Sequence, residues 1–323
     1  MRREAIGIDV GGTSITAAAF TTDGKQTTPV IPIPTSNISD LDSFLRTIEE
    51  LVEGIRRTNS HIAAVGIATP GPYRHPDTSD RGTLPLDEMV VEAGNVPGLR
   101  EGVVLGSLLA QHLPLPVALE NDANVYALGE QRAGAARGHE NVIGFIQGSG
   151  VGGAIIVDGR LLNGFDINAG EWGHLVVETD PENALPCSDI VDGVQATGHL
   201  EAQISGPALE TVFGIKGELA SLEIRAAMIE RSVTYAGPVL ATMVQSLGIT
   251  SVVLCSGTGV GLGIEYAQAM QTFIERCTTK FRVKNGCQVA TAQLGERAPL
   301  LGATAAAFDK VGIEMSTGKE FGR

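Results

Sequence analysis

Ala5-Ile-Gly-Ile-Asp-Val-Gly-Gly-Thr-Ser14 holds the first fold signal in the chain. The apolar run Ala5 to Val10 predicts a short buried strand. Gly11-Gly12 breaks it, Ser14 to Thr22 resumes a strand-like pattern, and Asp23-Gly24 signals a hairpin turn. The same order returns about 140 residues later. Val142 to Gln147 reads as a strand, Gly148-Ser-Gly-Val-Gly-Gly153 as a glycine turn, Ala154 to Val157 as a strand and Asp158-Gly159 as a hairpin turn. The repeat is one of architecture more than identity, and it predicts two related α/β lobes facing each other.

Other elements extend outward from these hairpins. Leu41, Phe44, Leu45, Ile48, Leu51, Val52 and Ile55 share one helical face, with Asp40 placed as an N-cap. Ala63 to Ala68 reads as a buried strand stopped by Pro70-Gly71-Pro72, and residues 72–100 as turn-rich loops over a site. Leu105 to Leu113 reads as a helix, and Val117 to Leu119 as a strand ending at Glu120-Asn121-Asp122. Beyond residue 205 the chain looks mainly helical, with Leu219 to Leu247 the longest periodic stretch. Ile249 to Cys255 reads as a strand, and residues 299–310 as a closing helix.

Composition narrows the function classes. The chain has 323 residues, 23 basic against 37 acidic side chains, a net charge of −14, and 41 glycines. That glycine content is about 13%, against roughly 7% in average usage. An acidic chain lacks the basic face of a general nucleic-acid binder. No apolar run reaches the ~18–20 residues of a membrane span. Met1 to Ala5 carries charge but is followed by no apolar h-region and cleavage site, so no signal peptide is read. Cys187, Cys255, Cys277 and Cys287 lie far apart with no C-x-x-C, as reduced thiols of a cytoplasmic protein would.

Three constellations carry chemistry. Gly148 to Gly153 formally matches G-x-G-x-x-G, but β-branched residues follow where a dinucleotide site needs a helix. Glycine turns inside hairpins can instead present backbone N–H groups to phosphate. Asp9 beside Gly11-Gly12-Thr13 adds a carboxylate for hydrated Mg²⁺ and a hydroxyl for phosphate. Asp122, at a strand end, is either the cap of the next helix or a general base for an attacking hydroxyl, with Asn121 beside it for a polyol. Glu171 and His174, three apart, are placed to point the same way toward a sugar, with Trp172 available to an apolar ring face.

Taken together, Ile8-Asp-Val-Gly-Gly-Thr-Ser14, Ala68-Thr-Pro-Gly71, Glu120-Asn-Asp-Ala-Asn124, Gly148 to Gly153 and Ala169-Gly-Glu-Trp-Gly-His174 resemble the ROK family of sugar kinases, repressors and relatives. The resemblance implies an α/β fold of two actin-like (ribonuclease H-like) lobes, each a mixed sheet flanked by helices, with an interlobe cleft. It implies a first lobe of residues 1–121, completed by 299–323, and a larger second lobe of 122–298. By position, Asp122 looks like the catalytic base. Gly71, Asn95, Asn121, Glu171, His174 and Glu201 look like the substrate site. Asp9, Gly11, Gly12, Thr13, Ser14, Ser149, Gly150, Gly257 and Thr258 look like the nucleotide site, with Asp9 on the Mg²⁺ side, through water or directly.

The resemblance therefore implies ATP-dependent phosphorylation of a primary hydroxyl on a hexose-like sugar in the cytoplasm, by a homodimer or dimer of dimers that binds neither nucleic acid nor membrane. An amino sugar, N-acyl sugar or cyclitol as acceptor, and a non-catalytic sugar sensor, stay open. Two departures stand out. The family's C-x-C-G-x-x-G-C zinc cluster is replaced by Asp192-Gly-Val-Gln-Ala-Thr-Gly-His199, so structural zinc is not expected unless His174, His199, Asp192 and Cys187 form a substitute. Ser14 stands where many members carry Lys. Asp9 lies too near the start for the repressors' helix-turn-helix to precede it.

Overall fold

The computed structural model describes residues 3–76, 84–164, 169–191, 194–278 and 286–315. The chain forms two compact units. One comprises Met1–Gly138, Asn163–Asn168 and Leu294–Arg323, and the other His139–Leu162 and Ala169–Gln293.

Unit 1 holds β1 (Glu4–Val10), β2 (Ser14–Thr21), β3 (Ile31–Pro34), α1 (Leu41–Thr58), β4 (Ile62–Thr69), β5 (Tyr73–Arg74), β6 (Val90–Val91), α2 (Leu105–His112), β7 (Val117–Asn121) and α3 (Asp122–Ala133). Its five-stranded sheet runs β3-β2-β1-β4-β7. The β1/β2 and β2/β3 pairs are antiparallel, β1/β4 and β4/β7 parallel. The central strands are covered on both faces, so they read as continuous apolar runs. Helix α1 starts where a capping box forms: Ser43 N–H donates to Asp40 Oδ1 at 2.8 Å and Asp40 N–H to Ser43 Oγ at 3.1 Å. Its face Phe44, Leu45, Ile48, Leu51, Val52 and Ile55 is buried, as its spacing predicts.

Unit 2 holds β8 (Val142–Gln147), β9 (Val151–Val157), β10 (Arg160–Leu161), β11 (Pro186–Val191), β12 (Val194–Thr197), α4 (Leu200–Ile204), α5 (Gly206–Phe213), α6 (Leu222–Leu247), β13 (Ser251–Cys255), α7 (Ser256–Gly261), α8 (Gly263–Cys277) and β14 (Gln288–Thr291). Its sheet runs β10-β9-β8-β13-β14, with the same sequence of antiparallel and parallel pairings as in unit 1. Both Asp-Gly signals form turns with positive φ, at Gly24 (77°) and at Asp158 and Gly159 (51° and 73°).

The last helix, α9 (Arg297–Lys310), belongs to unit 1. It is buried along nearly its whole length, from Ala298 to Phe308, between the sheet and α3. Glycines permit that depth. A β-carbon on Gly66 of β4 would stand 1.7 Å from Ala303 O, and one on Gly302 of α9 would stand 1.8 Å from Val125 O of α3. Glu130 of α3, fully buried, accepts the N–H groups of Ala135 and Leu294, each at 2.8 Å. Helix α3 thus packs with unit 1, whereas the sequence reading ended the first lobe at residue 121.

Candidate functional site

The strand ends of unit 1 gather the acidic groups. The β1/β2 hairpin turns through Gly11 to Ser14, closed by Gly11 N–H to Ser14 O at 3.0 Å. It is held from the side: Thr35 N–H donates to Thr13 O at 2.9 Å and Thr35 Oγ1 to Gly11 O at 2.8 Å. A β-carbon on Gly12 would lie 2.8 Å from Asn95 Nδ2, so the loop after β6 brings Asn95 onto this turn.

Asp9 sits one residue before the last paired position of β1. Burial, and then the charge of Asp122, push its carboxyl up to about 7. The two carboxyl groups are therefore near enough to repel each other. Two hard oxygen donors sharing a region where their charges oppose is a donor set that fits a hydrated divalent cation.

Asp122 is the first residue of α3 and is exposed. The N-cap is Asn121, its Oδ1 accepting from Ala123 N–H at 2.9 Å and Asn124 N–H at 3.3 Å, while Asp122 Oδ1 shares the Ala123 N–H at 2.8 Å. That assignment leaves Asn121 Nδ2 as a donor, 3.8 Å from where a β-carbon on Gly71 would stand. The structure so brings together Asn121 and Gly71, and separately Asp9 and Asp122.

Beneath them lies a layer that motif reading passed over. Glu120 is buried, and its Oε1 accepts from Asn121 N–H and Asn124 Nδ2, both at 2.9 Å. Burial pushes its carboxyl up to about 7 despite those bonds. Tyr73 Oη donates to Glu120 O at 2.9 Å and lies 2.5 Å from Thr69 Oγ1. Only the first residue of Glu120-Asn-Asp and the Thr of Ala68-Thr-Pro-Gly71 hinted at this support.

Unit 2 presents the second glycine turn, Gly148 to Gly150, closed by Gly148 N–H to Gly150 O at 2.8 Å. Strand β9 follows it, so a dinucleotide-binding helix is absent there. Glu201 braces the turn: its Oε2 accepts Val151 N–H at 2.9 Å, and a β-carbon on Gly150 would meet that oxygen at 2.6 Å. The expected substrate residue Glu201 therefore touches the expected phosphate turn. Glu171 Oε2 and His174 Nε2 lie 3.5 Å apart, both about half exposed (48%), as their spacing predicts.

Trp172 does not offer a face to a ligand. It is 3% exposed, donates Nε1–H to Gly152 O and packs on Phe145. A lone Trp among glycines reads as a sugar platform, but here the glycines make room for it: a β-carbon on Gly153 would stand 1.9 Å from its ring.

The segment that replaces the family's cysteine cluster is the β11/β12 hairpin, with Cys187 buried in it. His174 and His199 meet edge to face, ring centroids 5.9 Å apart. Among the described residues no three His, Cys, Asp or Glu side chains gather as a metal group, and Asp192 of the supposed substitute lies outside them.

Beside the second turn opens a cavity of about 460 Å³ within unit 2. Gly148, Ser149, Ser256, Gly257 and Thr258 line one side, and Gly206, Lys216 and Met228 are on others. Gly257 and Thr258 belong to the six-residue helix α7. The stretch 206–218 carries no motif in the sequence and enters the site only through the fold. No helix among the described residues is long and apolar enough to cross a membrane.

Comparison with known proteins gives this geometry a lineage. A glucokinase of Halalkalibacterium halodurans is 34% identical over 188 residues, covering 57% of this chain and 52% of that protein. The chain thus spans about half the length of that curated relative. The structure resembles a ROK hexokinase of Thermus thermophilus (TM-score 0.75, 26% identity, 96% of this chain and 99% of that one). It also resembles a ROK family glucokinase of Streptomyces griseus in complex with glucose and AMPPNP (TM-score 0.63, 25% identity, 95% and 99%). Two α/β units with mixed sheets, the actin-like arrangement, are shared with these kinases. The family match runs from residue 5 to residue 310, nearly the whole chain, and so the protein belongs to the ROK family.

Proposed function

We propose that the protein is an ATP-dependent sugar kinase that phosphorylates a primary hydroxyl of a hexose-like acceptor. The observation that carries the reading is the end of β7: an exposed carboxylate, Asp122, follows the helix-capping Asn121 and stands near a second carboxyl, Asp9. In the proposed reaction the acceptor oxygen attacks the γ-phosphorus of ATP. The bond from that phosphorus to the β–γ bridging oxygen breaks, ADP leaves, and the hydroxyl proton passes to Asp122. Asn121 Nδ2, with Gly71 beside it, and, by their family positions, Asn95, Glu171, His174 and Glu201 are assigned to the acceptor's other hydroxyls.

The lining of the donor-side cavity carries Lys216 alongside Glu210 and Glu218, so its side chains supply no net positive charge to the phosphates. Ser149 and Gly150 offer backbone N–H groups, and Gly11, Gly12, Thr13 and Ser14 supply a second turn for the phosphates. Asp9 would hold Mg²⁺, directly or through water, and the ion would supply neutralisation of phosphate charge there. The cavity beside Ser149 has the volume of a small-ligand site and is assigned to the nucleotide. The structural zinc of many relatives has no counterpart in this reading.

Coupled ADP release, measured across hexoses, amino sugars, N-acyl sugars and cyclitols, tests the proposal. Release with at least one acceptor, and far less without, is expected. Sugar binding with no release from any acceptor would replace the kinase with a sensor.

A further inference from the structure

Two non-glycine residues among those described have positive φ. Asp158 belongs to an Asp-Gly hairpin turn, which explains it. Ser256, at φ 70°, stands between β13 and α7, outside any hairpin. A left-handed backbone is costly for a side chain bearing a β-carbon, and such outliers collect where function holds them. Gly257 follows at once, and a β-carbon on it would meet nothing within 4 Å. A glycine one position earlier would relieve the strain, yet serine is there.

The strain places one atom. A β-carbon on Gly148 would lie 2.4 Å from Ser256 Oγ, so the hydroxyl rests directly on the glycine turn, in space only a glycine at 148 leaves free. Ser256 also lines the cavity and is partly exposed. Among the described residues its hydroxyl makes no hydrogen bond that would explain the position as a structural clamp. A strained backbone at 256 and a bare one at 148 therefore serve the same hydroxyl, beside the N–H groups of Ser149 and Gly150.

We propose that Ser256 Oγ is a donor to a phosphate oxygen of the nucleotide, and that its left-handed backbone is retained for that contact. The inference rests on the nucleotide reading of the unit 2 cavity. In the proposed contact the hydroxyl hydrogen-bonds an ionised oxygen, the stronger kind of neutral-donor bond. It makes Ser256 a specificity residue for the phosphorylated part of the ligand, with no contribution to the nucleoside.

Two substitutions in the full chain separate hydroxyl from strain. Ser256→Ala removes the hydroxyl and keeps the strained backbone; Ser256→Gly removes both. Binding of Mg·AMPPNP and of adenosine is measured by calorimetry, and Tm by thermal melting. Both variants are expected to bind Mg·AMPPNP about 10-fold more weakly, as loss of a hydrogen bond to a charged group gives. Adenosine affinity stays within about 2-fold of the parent, and S256G melts about 2 °C above S256A because glycine tolerates the conformation. Parent-like Mg·AMPPNP affinity in S256A, or an equal loss for adenosine, overturns the proposal. If the parent chain itself binds neither ligand, the nucleotide reading falls, and this inference with it.

Discussion

The two sheets have one topology and two chemistries. Val10 and Gln147 are the last paired residues before the glycine turn in unit 1 and unit 2, and Asp9 and Ile146 are the residues before them. At the first of these positions unit 1 has an aliphatic side chain and unit 2 a buried amide. At the second, unit 1 has a partly buried carboxyl and unit 2 an isoleucine. Unit 1 therefore carries a carboxyl one residue before the end of the strand that enters its turn, whereas the turn of unit 2 has none in its strand and is braced from outside by the carboxylate of Glu201, with the amide of Gln147 behind it. In the proposed phosphoryl transfer the carboxyls of unit 1 would take a proton and hold a cation, and the N–H groups of the unit 2 turn would donate to phosphate.

Substitutions can break the comparison at points where the copies differ. The largest stability effect is expected from Gly153→Ala, whose β-carbon would meet the Trp172 ring at 1.9 Å and Gly144 O at 2.3 Å. Urea denaturation should show a loss of about 3 kcal/mol or more, because neither neighbour can move freely. Next comes Gln147→Leu. Gln147 Nε2 donates to Ile204 O at 2.7 Å and lies 3.2 Å from Ser232 Oγ, while Tyr266 Oη donates to Gln147 Oε1 at 2.8 Å. Leucine would strand those partners in the core of unit 2, at about 2 to 3 kcal/mol in the same assay. A parent-like midpoint would show that the unit 2 turn needs no polar brace.

The acidic side of unit 1 has its own signature in pH. Glu120 is protonated more readily in the folded chain, about 7 against 4.5. Between those values the folded state binds more protons than the unfolded one, so stability falls as pH rises from about 4.5 to 7. Glu120→Gln should flatten that part of the profile, an effect of about 2 kcal/mol over the window, read from urea midpoints at several pH values. An unchanged slope would mean that other groups set it. The smallest stability effect is expected at Gly12→Ala, where the β-carbon would meet only the Asn95 side chain, Nδ2 at 2.8 Å and Cβ and Cγ at 3.3 Å. Folding should change by less than about 1 kcal/mol, while the apparent KM for ATP rises.

Sequence alone exposed the parts of this fold that glycine marks. The two hairpins were legible because a pair of glycines interrupts apolar strands, and helix α1 because its buried face repeats at helical spacing. Strand β3 was not, since Ile-Pro-Ile-Pro at a sheet edge reads as punctuation. Helix α9 was visible as a helix but not as the centre of unit 1, because a helix buried all round shows no polar face. Asp9, Asn121 and Asp122 were legible in the same way, as short polar residues at strand ends. Trp172 misled, since burial by glycines leaves no local pattern. The backbone of Ser256 and the stretch 206–218 could only come from three dimensions.

Central to the account is that Asp122 takes the proton and does not hold the fold. Asp122→Asn keeps size and helix position while removing basicity, and Asn121 still caps α3. One preparation should be assayed for ADP release with its best acceptor and for binding of that acceptor by calorimetry. The account predicts that turnover falls by about 10³-fold or more while acceptor affinity and Tm stay close to the parent. Near-parental turnover, or loss of turnover only in step with acceptor binding, would contradict it.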